Sequence, residues 1–411
     1  MDILYKVCCG LDVHAKTVVA CLNQQGKKQT RTFSTMTGDL LQLSDWLLSH
    51  QCEMVAMEST GVYWKPVFNI LESSLEVILV NTRHIKMVPG RKTDVCDAEW
   101  IADCLRVGLL KASFIPPLEI RELRELTRYR STLVGEKARL ANRIQKLAES
   151  GNIKLSQVAS DALGDSARAM LRALAQGETD VVKMSEFAQR ALRNKKAQLQ
   201  AALQGRLTRN QRWVLADLLD RYEALEASIK RVEEQIEAEV KDNHDPFVSE
   251  AVSLLETIAG IGKRTAQVVI AEIGVKMEQF PNAQHLSSWA GVSPGNNESA
   301  GKRKSGKTTK GSKYLRQALV QAAWAASHTK NSYLSAQYHK LARRMSKKKA
   351  LVAVAHTILV IVYQVLKKGE KYKELGGDYL DKRNQEHKSK RLIRQLESLG
   401  LTVKVEKKEA A

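Results

Sequence analysis

At 411 residues the chain is long enough for two or three domains, and 44% hydrophobic residues supply real cores, which excludes a chain disordered throughout. Lys and Arg number 65 against 45 Asp and Glu, a formal net charge of +20 with a pI near 9.6, and this balance seeks phosphate. No apolar run reads as long enough to span a bilayer and the start MDILYKVCCGLDV lacks a signal-type core, so a cytoplasmic protein with no membrane partner is expected. Cys8, Cys9, Cys21, Cys52, Cys96 and Cys104 form no paired CxxC pattern and read as reduced, buried thiols.

From Tyr5 to Leu110 short strands and helices alternate. YKVCCGLDV, KTVVACLNQ and KKQTRTFST predict three strands, the last two joined by a turn at Gln24-Gln25-Gly26-Lys27. An amphipathic helix follows around Leu40 to Leu48, then strand EMVAMES, helix YWKPVFNILES, strand LEVILVN and helix DVCDAEWIADCLRVG. A three-strand meander followed by helix, strand, helix, strand, helix is the order of the ribonuclease-H-like fold. Residues 1–115 are therefore expected to be an α/β domain with a mixed central sheet.

The acids of this domain carry the chemistry. Asp12 closes the first strand and Glu58 the fourth, so if those strands are neighbours both carboxylates emerge at one sheet edge. Asp94 and Asp97 are three apart at a helix start and share a helical face. Four converging acids repel one another unless a metal neutralises them, and such oxygen donors hold Mg²⁺ for phosphoryl chemistry. Taken singly, Asp94 also fits a plain N-cap and Asp97 a partner of the helix dipole. Glu99 and Asp103 read as surface or supporting residues.

Residues 116–245 are charged, rich in Ala and Leu, and helical. Leu126, Leu133, Leu140 and Leu147 recur every seven residues, with Leu123 and Ile144 beside them. Leu215, Leu218, Tyr222, Leu225, Ile229, Val232 and Ile236 step by threes and fours, a second coiled-coil seam. An antiparallel hairpin within one subunit and a dimerisation stalk both fit, although Arg130 and Lys137 on the first seam oppose a parallel zipper. Between the long helices, residues 151–205, broken by Gly151, Gly164 and Gly177, read as a smaller helical insertion in which no chemistry is evident.

In residues 246–368, LLETIAGIGKRTAQVVIAEIG predicts a helix-hairpin-helix. Gly260 and Gly262 would offer backbone N–H groups to phosphate, with Lys263 and Arg264 adding charge. A glycine-bridged packing hairpin is the plainer alternative. Beyond it Lys302, Arg303, Lys304, Lys307, Lys310, Lys313 and Arg316 crowd a glycine- and serine-rich loop suited to a nucleic-acid backbone. A serine hydroxyl among such cations could attack a phosphodiester and hold one end covalently, but composition does not rank Ser299, Ser305 and Ser312. His356, in the apolar helix that follows, reads as a core histidine, and residues 369–411 as a charged, loosely ordered tail.

The segments GLDVHAKT, AMESTGVYW, VPGRKTDVCDAEWIADCLRVGLL, ETIAGIGKRTA and SWAGVSPGNNESAGKRKSGKTTKGSKYLRQALVQAAWAA, in that order, resemble the IS110 family of insertion-sequence transposases, relatives of the Piv and MooV invertases, over nearly the whole chain. The resemblance implies a RuvC-like Mg²⁺-binding tetrad at Asp12, Glu58, Asp94 and Asp97, a helical coiled-coil middle, and a mostly α transposase domain whose nucleophile is Ser299 in Glu298-Ser299-Ala300-Gly301-Lys302. Many members have glycine where this chain has Ala300. The implied activity is DNA recombination through a phosphoserine link, with double-stranded donor and target DNA and a structured non-coding bridge RNA as partners. The implied assembly is a dimer or tetramer in which the acidic domain of one subunit complements the serine domain of another. Two other readings stay open: a RuvC-like junction endonuclease in which Ser299 only contacts phosphate, and a non-catalytic nucleic-acid-binding protein. The 151–205 insertion is longer than in compact members.

Overall fold

Strand β1 (Val7–Val13) is almost wholly buried along its length, as expected of a strand covered on both faces. In this computed structural model, which describes residues 3–59, 61–80, 97–295, 297–299, 302–400 and 402–403, it is the centre of a five-stranded sheet. With β2 (Thr17–Gln24), β3 (Lys27–Ser34), β4 (Met54–Glu58) and β5 (Val77–Val80) the order is β3-β2-β1-β4-β5. The first three strands form an antiparallel meander, and β4 and β5 run parallel to β1. Gln25 and Gly26 both have positive φ, 52° and 98°, the requirement of a tight turn matched to strand twist. KKQTRTFS makes β3 the polar edge, its cations discouraging pairing with another sheet.

Period-two alternation divides β1 between two layers. Cys9, Leu11 and Val13 face α1 (Thr37–Ser49) and α2 (Trp64–Leu71), packing with Leu40, Leu43, Leu47, Val67 and Leu71. Cys8 turns the other way and packs with Ala56, Val80, Ile101 and Leu105, the last two on α3 (Asp97–Arg106). Among the described residues Cys8, Cys9, Cys21, Cys52 and Cys104 are free buried thiols, and burial raises Cys8 and Cys52 to about 12; Cys96 lies outside the described residues. The mixed sheet with helices on both faces is compatible with the ribonuclease-H-like expectation. The division between the two units of the chain falls at Ile115 and Pro116.

The second unit begins with α4 (Leu118–Ser150), which pairs with α9 (Arg209–Lys241). Arg130 holds Glu233 and Lys137 holds Glu226, each at 2.6 Å, and Gln211 reaches Ser150 at 3.1 Å. As one partner advances along α4 the other retreats along α9, so the helices are antiparallel and the two seams meet within one chain. The basic seam residues are thus answered by acids of the returning helix. Between the long helices, α5 (Leu155–Val158), α6 (Asp165–Gln176), α7 (Val181–Ser185), a 3₁₀ turn at Arg190–Lys195 and α8 (Lys196–Ala202) form a cap on the hairpin tip. Its core joins Met170, Leu174, Met184 and Leu203 to Ile144, Leu215 and Leu219 of the hairpin.

The remaining elements are α10 (Phe247–Glu256), α11 (Lys263–Ile273), α12 (Ala283–Trp289), the ribbon β6 (Asn297–Ser299) and β7 (Lys302–Ser305), α13 (Lys313–Ser327), α14 (Tyr333–Ala342), α15 (Lys347–Lys368) and α16 (Tyr379–Ser398). Two sequence expectations change here. By length and composition α15 could cross a membrane, with a window of mean hydropathy 1.9, whereas no such run is expected from the sequence. Half of that window is buried in the fold, including Val354, Ala355, Ile358, Leu359 and Val362, as in a core helix. His356 on it is half-buried and burial lowers its pKa, in keeping with a core histidine. The tail is not loosely ordered throughout: α16 is a regular helix, with Tyr379 edge-on to Tyr333 at 5.7 Å.

Candidate active site

The alternation that buries Cys9 and Leu11 on one face sends Cys8, Gly10 and Asp12 to the other. The parallel register sets Gly10 beside Ala56 and Leu11 beside Met57, so Asp12 and Glu58 follow at adjacent strand ends. Val55 and Met57 belong to the opposite core, which leaves Ala56 and Glu58 on the α3 side as well. Asp97 is the first residue of α3, the helix laid across this face. Asp12, Glu58 and Asp97 are therefore brought to one edge; Asp94 lies outside the described residues.

Their charges interact. Burial, followed by the neighbouring Asp97 and Glu58, raises the pKa of Asp12, while His14 beside it pulls the value back. His14 Nε2 lies 3.1 Å from Asp12 Oδ2, and its side chain is 61% exposed. Position i+2 after Asp12 was the sequence signal for this contact, since alternate residues of extended chain share a side. Glu99 and Asp103 tie α3 to the β2–β3 hairpin instead. Lys28 bonds Asp103 at 2.7 Å and lies 3.9 Å from Glu99, and Asn23 donates to Asp103 at 3.1 Å.

An all-oxygen set of Asp and Glu fits a hard divalent cation by donor type. Among the described residues no three such side chains stand close enough to share an ion.

The serine segment is organised by backbone pairing. Ser299 ends β6 and pairs with Lys302 at the start of β7. The base of the ribbon is held by Gly295 N–H to Lys307 O, 2.8 Å, and by Thr309 Oγ1 to Ser288 O, 3.0 Å. Of the other two serines, Ser305 Oγ accepts from Lys307 N, and Ser312 caps α13 by accepting from Leu315 N. Ser312 Oγ also donates to Glu272 Oε2 at 2.9 Å. Lys307, Lys310 and Lys313 are exposed beside this ribbon. Lys302, Arg303 and Lys304 form the strand opposite Ser299.

Glu272 is the least expected acid of the second unit. Its side chain is 1% exposed and is gripped by the Arg128 fork, Nε to Oε1 at 2.7 Å and Nη2 to Oε2 at 2.9 Å. The sequence signal was an acid inside the otherwise apolar VVIAEIG turn of α11, which demands a buried partner.

The hairpin before α11 divides the predicted phosphate contacts. A Cβ on Gly260 would stand 2.3 Å from Ala322 O, so this glycine is required for packing against α13. Gly262, the N-cap of α11, faces open space. Lys263 pairs with Glu237 and Arg264 with Glu233, both at 2.8 Å; the first pair is well exposed, whereas Glu233 is 23% exposed and shared with Arg130. An exposed pair such as Lys263–Glu237 contributes only about 0–1 kcal/mol, so a phosphate can compete for that cation.

A family model described as a transposase, of the DEDD type of IS110 elements, matches residues 9–152. A second, described as a transposase of the IS116/IS110/IS902 family, matches residues 252–340. The chain is 26% identical over 320 residues to a probable family 20 transposase of Pseudomonas aeruginosa, covering 77% of this chain and 79% of that protein. It is 31% identical over 137 residues to the pilin gene-inverting proteins of Moraxella bovis and Moraxella lacunata, covering 32% of this chain and 41% of each of theirs. The acidic edge falls within the first matched segment and the serine ribbon within the second, and the chain belongs to the IS110 family of transposases, DNA recombinases by activity.

Proposed function

We propose that this protein excises and inserts its element by Mg²⁺-dependent DNA strand exchange through a covalent phosphoserine at Ser299, on donor and target DNA selected by a structured bridge RNA. The observation that carries the acidic half is the β1–β4 register, which sets Asp12 and Glu58 side by side under the start of α3. Asp12, Glu58, Asp94 and Asp97 would hold the metal, which supplies charge neutralisation and polarisation of the scissile phosphate. The Ser299 hydroxyl attacks that phosphorus; the Oγ–P bond forms, the P–O3′ bond breaks and the departing 3′ oxygen takes up a proton. A 3′ hydroxyl from the exchanging strand then attacks the phosphoserine, and Ser299 leaves with its proton restored. Each step exchanges one P–O bond for another, so rejoining needs no ATP.

In this reading residues 1–115 are the acidic domain, 116–245 the coiled-coil region with its 151–205 insertion, 246–368 the serine domain with its helix-hairpin-helix, and 369–411 a charged tail. Lys302, Arg303, Lys304, Lys307, Lys310 and Lys313, with Gly262, Lys263 and Arg264, take the nucleic-acid backbone. The protein acts in the cytoplasm as a dimer or tetramer. The test is strand exchange between donor and target plasmids, with and without RNA transcribed from the DNA flanking the gene. Exchange that needs both Mg²⁺ and this RNA supports the proposal. Full exchange in EDTA defeats the metal assignment, and exchange indifferent to the RNA defeats the guide.

A further inference from the structure

The insertion on the hairpin tip, in which the sequence alone shows no chemistry, carries a cleft of about 670 Å³ between the end of α6 and the start of α9. Arg206, Arg209 and Arg212 line it. These cations differ from two arginines of the cap that are already neutralised. Arg168 is held by Asp165 and Glu226, and Arg172 by Asp220 and Glu223. Among the described residues no carboxylate lies within ion-pair reach of Arg206, Arg209 or Arg212. Glu178 also lines the cleft, but it is already committed to Lys183 and to the backbone N–H groups of Thr179 and Asp180, bonds that hold its carboxyl down at about 2.

Three arginines thus face a concave surface without a counterion. The first turn of α9 holds no acid, although a helix start favours negative charge, so placing Arg209 and Arg212 there costs stability unless an anion sits nearby. The neck of the insertion keeps them in place: Arg206 N–H bonds Gly151 O at 2.8 Å, and a Cβ on Gly205 would stand 2.1 Å from that same oxygen.

Beside the arginines stands a largely exposed aromatic ring. Trp213 is 71% exposed and lies one turn beyond Arg209, on the same flank of α9. Phosphate-seeking forks next to an open indole are the two elements by which proteins hold unpaired strands, charge for the backbone and a π-face for the base. A duplex keeps its bases stacked and offers nothing to the ring.

We propose that this cleft binds an unpaired segment of nucleic acid, its phosphate between Arg206, Arg209 and Arg212 and a neighbouring base stacked on Trp213. Binding of fluorescent 20-nucleotide unstructured RNA, DNA of the same sequence and the corresponding DNA duplex to the full-length protein tests this. Because other basic surfaces of the chain also bind phosphate, the readout is the change caused by each variant. Trp213→Ala is expected to weaken single-strand binding by about tenfold while changing duplex binding less than twofold. Arg206→Gln combined with Arg209→Gln should reduce the dependence of log affinity on log salt for the single strand by about 0.7, the contribution of one neutralised phosphate on a single strand. Both residues are exposed, so the fold should tolerate the change, checked by an unaltered melting curve. Whichever strand, RNA or DNA, loses more affinity is the natural source. Single-strand affinity unchanged within twofold in both variants, or an equal loss for duplex, would overturn the proposal.

Discussion

Gly10 lies so close under α3 that a Cβ at its position would stand 2.2 Å from the Ala98 carbonyl oxygen and 2.4 Å from the Ala102 nitrogen. The absence of a side chain lets the helix backbone rest directly on β1, and that contact sets Asp97, one residue before Ala98, over the strand end that bears Asp12. Gly10→Ala must lift or tilt α3, because neither backbone atom can move aside as a side chain would. Overpacking of this kind costs about 1–3 kcal/mol. Activity should suffer more than stability, since a displacement near 1 Å at a catalytic group costs about a hundredfold in rate. Strand-exchange rate measured beside melting temperature checks this, and a full rate in Gly10→Ala would refute the link.

Asp12 gives a pH-dependent signature. Its folded pKa lies above the usual value of 3.8 for reasons led by burial. The folded state therefore binds this proton more tightly than the unfolded chain, and stability contributed here falls as pH rises from the unfolded value through the folded one. Asp12→Asn should raise the melting temperature at pH 7 in EDTA, and the gain should shrink as pH drops toward the unfolded value. The same variant should not recombine DNA. Equal melting of the two proteins at pH 7 would show that the charge carries no penalty there.

Arg128 and Glu272 form the other consequential pair. Removing Arg128 takes both points of the fork from a carboxylate with 1% exposure and leaves it the Ser312 hydroxyl. Arg128→Ala is expected to destabilise the protein by about 3 kcal/mol, the lower end for breaking a buried pair because Arg128 is itself partly solvated. Arg128→Lys keeps the charge but loses the two-point fork and should fall between. Chemical denaturation followed by circular dichroism measures both. A loss below about 0.5 kcal/mol in Arg128→Ala would show that Glu272 is satisfied in another way.

The shared-site reading predicts complementation. A mixture of Asp12→Ala and Ser299→Ala proteins should recover part of the strand exchange that each alone has lost. Since both long-helix seams are met within one chain, Leu215, Leu218 and Ile236 being buried there, the association must use other surfaces or the half-buried Leu225 and Ile229. A mixture that assembles and binds RNA but stays inactive would show that each subunit completes its own site.

Much of the sheet was legible because short apolar runs bounded by turn residues, such as VCCGLDV and TVVACLNQ, mark strands before any pairing is known. The meeting of Asp12 with Glu58 depended on β1 and β4 being neighbours, a non-local fact that the turn signals alone do not decide. Seam residues Arg130 and Lys137 pointed away from a parallel zipper, but only the partners Glu233 and Glu226 select the hairpin within the chain. The membrane-length helix was missed because the apolar run between Ala350 and Leu366 is extended by flanking lysines that remain helical. Arg206, Arg209 and Arg212 are spread across a loop and a helix start, and their convergence on one cleft comes from the neck at Gly151 and Gly205.

In the proposed reaction Ser299 carries DNA covalently while the acidic edge supports the chemistry. Incubating the full-length protein with its guide RNA, Mg²⁺ and a nicked suicide donor, then separating products on a denaturing gel, tests it most directly. Wild-type protein, Ser305→Ala and Ser312→Ala should each give a protease-sensitive protein–DNA adduct, with a phosphorylated Ser299 peptide by mass spectrometry. Ser299→Ala should give none, and Asp97→Ala should greatly reduce it while retaining nucleic-acid binding, which arises from the basic surfaces. An adduct that persists in Ser299→Ala, or cleavage that proceeds with no covalent species in wild-type protein, would contradict the account.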